Sequence, residues 1–105
     1  MSKYGNRRVT INGETFASKR EAARWCDLRL LQRAGVIRDL ERQVPLEIVP
    51  KTDKHRARYY VADFVYTETG TGRKVYEDSK GCATQVYQLK KAIVYWRYGI
   101  DILET

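Results

Sequence analysis

The apolar positions change period several times along the chain, and each change marks an element. Val9-Thr10-Ile11 and Glu14-Thr15-Phe16 alternate on either side of Asn12-Gly13. Asn-Gly between alternating residues predicts a tight β-hairpin, because a type I′ turn needs positive φ at both central positions. Ser18-Lys19-Arg20-Glu21 reads as a capping box. Helical spacing follows to Ala34, with Gly35 as the stop. Ala22, Trp25, Cys26, Leu28, Leu30 and Leu31 supply a broad apolar face, and Arg20, Arg24, Arg29 and Arg33 make the rest basic.

From Val36 the pattern becomes extended. Residues 36–40 and 44–49 read as strand segments, and Pro45 marks either an edge position or a bend between two short pieces. Residues 51–58 form a basic loop with no apolar anchor. Residues 59–67 are a strand rich in Tyr, Val and Phe, 68–72 a turn, and 73–80 the returning strand, broken by Gly81. A second helix spans 84–98, with Val86, Leu89, Ile93 and Trp96 on one face and Gly99 as its stop. Residues 100–103 are a short final strand. Behind the hairpin the order is α-β-β-β-α-β, an α/β class with a mixed sheet.

Composition narrows the setting. With 105 residues, 43% apolar and 31% charged, the chain fits one globular domain over 9–105 behind a basic arm, 1–8. No apolar run approaches the roughly 18 residues of a membrane span. The polar, basic start is not a signal peptide, so a cytoplasmic setting with no membrane partner is expected. Cys26 and Cys82 have neither zinc-ligand nor CxxC spacing and read as buried reduced thiols. His55 is the only histidine, which excludes any mechanism that needs two. Twenty Lys and Arg against thirteen Asp and Glu give a net charge of +7 and a pI near 9.6, which suits a polyanionic partner such as nucleic acid.

Candidate chemistry sits on the strand pair 59–80. Asp63 lies inside an apolar strand, where a carboxylate is costly unless paired or bound to a cation. Asp78 and Lys80 are two residues apart and share a face, with Glu77 and Ser79 pointing the other way. Closing the hairpin with a two-residue loop at Gly70-Thr71, or with a four-residue loop over 69–72, gives one register: Asp63 opposite Asp78. Carboxylates ~5 Å apart repel unless a cation sits between them. Lys80 follows about 7 Å along the same face. Glu21 lies beside the apolar stripe of the first helix, in a row with Trp25 and Leu28. A capping role explains it, and so does a place in the acidic cluster.

The set Asp63, Asp78-Ser79-Lys80, a glutamate in the preceding helix and the α-β-β-β-α-β order resembles the PD-(D/E)XK nuclease superfamily. More closely, the chain is similar to a family of small phage and prophage proteins related to Holliday-junction resolvases. The shared features are Lys3-Tyr4-Gly5-Asn6, Phe16-x-Ser18-Lys19-x-Glu21-Ala22, Val44-Pro45, Tyr60-x-Ala62-Asp63-Phe64-Val65-Tyr66, Glu77-Asp78-x-Lys80-Gly81 and Tyr98-Gly99. The departures are Ala62 where proline often precedes the aspartate, and Asp78 in place of the more frequent glutamate.

The resemblance implies a restriction-endonuclease-like core and a Mg²⁺-dependent DNA endonuclease selective for branched or junction DNA. Mn²⁺ is an alternative metal. Asp63 and Asp78 would hold metal, joined by the backbone carbonyl of Ser79 and by Glu21, directly or through water. Lys80 would orient water or stabilise charge on the phosphate; a simple salt bridge is its plainer reading. Arg20, Arg24, Arg56, Arg58, Thr84, Tyr87 and Lys90 are the candidate DNA contacts. Symmetric cutting of two strands implies a homodimer, in a phage- or prophage-encoded protein acting in a bacterial cell. The competing expectation is a non-catalytic phage DNA-binding or replication-accessory module that kept the fold.

Overall fold

The Asn12-Gly13 turn forms as its residues demand, with φ of 50° and 83°. It joins β1 (Val9–Ile11) to β2 (Glu14–Phe16) in an antiparallel hairpin. The structure, a computed structural model, describes residues 8–79 and 84–105. The greater part of the expected basic arm lies outside the described residues.

Helix α1 (Lys19–Arg33) starts at Ser18, whose side chain accepts the backbone N–H of Glu21, and stops where Gly35 turns to φ 79°. Only part of its expected apolar face is used. Leu28 is fully buried and Trp25 and Leu31 partly so, whereas Leu30 is 62% exposed. Cys26, expected inside, is exposed: it lies one helical step round from Trp25, past the edge of the stripe that meets the sheet.

A four-stranded sheet follows in the order β3-β4-β5-β6. The two extended segments expected over 36–49 are one long strand, β3 (Ile37–Val49), antiparallel to β4 (Arg58–Glu68). Asp39 has φ 56°, and the register slips by one residue between Arg38 and Glu41. β3 is an edge strand, the first of the two places that Pro45 allowed. Its free edge is partly covered. Gln32 accepts the N–H of Leu40 at 2.9 Å, and Arg97 and Tyr98 donate to the carbonyl of Glu47 at 3.0 and 2.6 Å. β5 (Lys74–Asp78) returns antiparallel to β4 after the four-residue loop 69–72. β6 (Leu103–Glu104), later than expected, adds in parallel to β5. The fold is thus α+β, with a mixed sheet, two helices and a small N-terminal hairpin.

Helix α2 (Gln85–Tyr98) is capped by Thr84 and ended by Gly99 at φ 69°. Here the sequence expectation fails. Val86, Leu89 and Trp96 are 64, 61 and 81% exposed; of the expected face only Ile93 packs on the core, joined by Tyr87 and Val94. The apolar residues of α2 wrap most of its circumference, so spacing alone does not pick the inner side.

The two helices cover different halves of the long β3–β4 ribbon. Ile37, Leu40, Phe64, Tyr66 and Val75 join the α1 core, and Arg42 stacks 4.0 Å over Phe16 beside it. Val44, Leu46, Ile48, Tyr60 and Ala62 join the α2 core. Val65 joins the α2 core while Phe64 and Tyr66 on either side join the α1 core, so the two cores lie on opposite faces. Leu40 and Val44 nevertheless share parity along β3, as Ala62 and Phe64 do along β4, so both strands change the face they bury between these pairs. Gln43 and Asp63 sit at that change, flanked by the ladder pairs Arg42↔Phe64 and Val44↔Ala62. Gln43 has φ 55°.

Candidate functional site

The site is built at this seam. The ladder pair Phe64↔Glu77 makes Asp63 and Asp78 neighbours across β4 and β5, the register that the loop lengths predict. Both are buried, at 3 and 1% exposure. Burial of a carboxylate requires donors, and Asp63 has them. Its Oδ2 accepts the Ser79 N–H at 3.0 Å and the Ser79 hydroxyl at 3.1 Å, and Gln43 Nε2 stands 3.4 Å from Oδ1. Asp78 Oδ2 accepts the Tyr60 hydroxyl at 2.7 Å. Burial, then the bond to Asp78, pushes the Tyr60 phenol far above its ordinary value, and the charge of Asp63 adds to this. Burial and the bond to Glu104 do the same for Tyr87, with both Asp78 and Asp63 contributing. The two carboxylates therefore act on the same pair of phenols.

Glu21 serves the start of α1 and, among the described residues, reaches Asp63 only through Gln43. One oxygen accepts the Ala17 N–H at 3.0 Å, tightening the start of α1, and the other accepts Gln43 Nε2 at 2.8 Å. Gln43 thus links Glu21 to Asp63. Lys80 lies outside the described residues, as do Gly81, Cys82 and Ala83.

Among the described residues no group of three or more His, Cys, Asp and Glu stands ready to hold a metal ion. The pair Asp63–Asp78 is a smaller donor set of hard oxygens. A carboxylate has about four acceptor positions, so the bonds that Asp63 accepts from Ser79 and Gln43 leave room on it. Mg²⁺ is commonly held by one or two carboxylates and completed by water and phosphate. The residues fit that ion, whereas a structural zinc would need a full tetrahedral set.

Beside the pair lies a cleft of about 420 Å³ lined by Tyr59, Tyr60, Val61, Asp78, Thr84, Val86, Tyr87 and Lys90. Three of the residues expected to contact DNA, Thr84, Tyr87 and Lys90, come together here with Asp78. Tyr87 donates to Glu104 at 2.8 Å, and Lys91 pairs with Glu104 at 3.2 Å. Arg56 and Arg58 are exposed on the far side of Tyr59 in sequence, and Arg20 is exposed with one donor on the Thr105 carbonyl at 2.6 Å.

Arg24 is different. Its guanidinium grips Glu77 through two bonds, at 2.7 and 2.9 Å, while Tyr66 and Thr105 donate to the same carboxylate at 2.8 and 3.1 Å. Glu77 is wholly buried. The hydrogen bond to Glu77 raises the Arg24 pKa further and fixes its charge. This fork is directed at the protein's own carboxylate. Sequence reasoning placed Glu77 on the face away from Asp78 but missed its partners, and it missed Gln43 and Tyr60. The adjacent acids Glu77-Asp78 in an apolar strand were a usable signal for a second buried charge; nothing in the sequence marks Gln43.

The family described as a protein of unknown function, DUF1064, matches residues 1–102. The chain belongs to that family. No curated protein and no solved structure matches it. The DUF1064 match runs through Glu21, Gln43, Asp63, Asp78 and Lys80. Its description carries no activity. Among the described residues of this DUF1064 protein no helix is long and apolar enough to cross a membrane.

Proposed function

We propose that this DUF1064 protein is a Mg²⁺-dependent DNA endonuclease of the PD-(D/E)XK type, selective for branched DNA in the manner of a junction resolvase. The observation that carries the reading is the buried pair Asp63–Asp78, adjoining across β4 and β5, with Asp78 lining the cleft of Thr84 and Lys90. Asp63 and Asp78 would hold the ion, with Glu21 behind them. When bound, Mg²⁺ supplies Lewis acidity at a phosphate oxygen. The chain's own groups do the rest. Ser79 and Gln43 fix the Asp63 carboxylate, and Tyr60 fixes that of Asp78. Thr84 and Lys90 receive the phosphate backbone, and Lys80 orients the attacking water or offsets charge at phosphorus. Arg20, Arg56, Arg58 and the +7 net charge supply salt-sensitive, sequence-independent attraction. Cutting two strands calls for a homodimer, and the exposed Leu89, Tyr95 and Trp96 of α2 are the surface proposed for it.

A second reading is a DNA-binding module without catalysis. It is favoured by the three hydrogen bonds that Asp63 already accepts, which stabilise the carboxylate without any cation.

The test is incubation of a synthetic four-way junction, with linear duplex, flap and single-strand controls, in Mg²⁺, Mn²⁺ or EDTA. Wild type should cut the junction only with metal. Asp63→Asn, Asp78→Asn and Lys80→Ala should bind DNA but not cut. Equal cutting by Asp63→Asn would refute the site, and binding without cutting by wild type would favour the module.

A further inference from the structure

We propose that Gln43 is a positioning residue of this site, holding Glu21 and Asp63 in fixed relation through one side-chain amide. The inference rests on the nuclease reading and adds to it a member that no motif contains.

The argument begins with the backbone. Gln43 has φ 55° in the middle of a strand, a left-handed state that is unfavourable for a residue other than glycine. Such a state persists only where the surroundings impose it. Asp39, at φ 56° in the same strand, offers a contrast. Aspartate tolerates the left-handed region, and there the ladder slips by a residue, so the conformation makes a bulge. At Gln43 the ladder keeps its register, with Arg42↔Phe64 before and Val44↔Ala62 after. Pairing gains nothing from the strain.

The side chain gains. Its Nε2 lies 2.8 Å from Glu21 Oε2 and 3.4 Å from Asp63 Oδ1, so the two hydrogens of one amide address two buried carboxylates from different elements. The residue type suits the task. Lysine or arginine would cancel the negative charge that a cation needs, and glutamate would add repulsion. An amide donates twice and leaves the charge intact. The change of buried face in both strands at Gln43 and Asp63 brings the α1 carboxylate and the β4 carboxylate to the same amide.

Gln43→Gly separates side chain from backbone, because glycine adopts φ 55° without strain. Melting temperature, Mn²⁺ affinity by electron paramagnetic resonance, and junction-cleavage kcat and KM should be measured together. The variant should fold, melting a few degrees below wild type, because relief of the backbone strain offsets part of the lost hydrogen bonds. Its Mn²⁺ affinity and kcat should fall about 10- to 100-fold, the usual effect of losing a group that orients metal ligands, while KM for DNA stays within about twofold. Gln43→Glu should be at least as impaired. Gln43→Asn, tolerant of the same φ but one methylene shorter, should fold and be impaired too, and it decides the matter if the glycine variant does not fold. An active wild type with an equally active Gln43→Gly overturns this inference alone. A wild type that neither binds Mn²⁺ nor cuts any substrate overturns the nuclease reading and this inference with it.

Discussion

The hydroxyl of Tyr60 donates to Asp78 at 2.7 Å, joining the α2 core to the last residue of β5. Hydrogen bonds to charged groups contribute about 1.5–3 kcal/mol. Tyr60→Phe keeps the ring and removes the donor. It should lower stability by about that amount in urea denaturation. An unchanged midpoint would show that the bond contributes nothing.

Glu77 is wholly enclosed and Arg24 is its only ionic partner among the described residues. Arg24→Ala should cost about 3 kcal/mol, the low end for a broken buried pair, because Tyr66 and Thr105 still donate to the carboxylate. Arg24→Met combined with Glu77→Gln should recover more than half of the loss. Additive effects in that double-mutant cycle would refute the coupling.

The inner side of α2 can be checked by two truncations. Val94 is fully buried, so Val94→Ala should cost about 2 kcal/mol from lost methyl burial and the cavity left behind. Trp96 is 81% exposed, and Trp96→Ala should stay within about 0.5 kcal/mol when the monomer's unfolding is followed. The reverse order would restore the face expected from spacing.

Alkaline pH should weaken the fold through its phenols. Burial, then the bond to Glu77, pushes Tyr66 from 10.0 up to about 12, and Tyr60 and Tyr87 move in the same direction. A raised folded-state value favours the protonated form. Its stabilisation is therefore fully present below pH 10.0 and lost as pH rises towards about 12. Urea midpoints should fall across that window, and fall less in Tyr66→Phe. A flat profile in wild type would contradict the burial of these hydroxyls.

Much of this was legible before any coordinates, wherever local chemistry dictates geometry. Asn12-Gly13 demands positive φ, Ser18 needs a backbone N–H to accept, and Gly35 and Gly99 take the left-handed turn that ends each helix. The Asp63–Asp78 register was equally readable, because either loop length gives the same pairing. What was hidden depends on the third dimension. Tyr87 and Val94 displace Val86 and Trp96 from the core because α2 is apolar on most sides, so the sheet decides which side is used. The hold of Arg24 on Glu77 spans 53 residues and leaves no periodic trace. Gln43 looks like any polar strand residue until its φ and its two acceptors are seen.

The covered edge of β3 has a further consequence. Thirteen residues of strand at the border of a sheet would ordinarily invite another chain to dock in extended form. Here Pro45 has no N–H to offer, Gln32 blocks one amide, Arg97 and Tyr98 occupy one carbonyl, and the positive φ at Asp39 and Gln43 interrupts the regular extended backbone. Each of these shortens the stretch along which cross-β growth could be templated. A tyrosine- and valine-rich ribbon can thus be long without becoming the nucleus of a fibril.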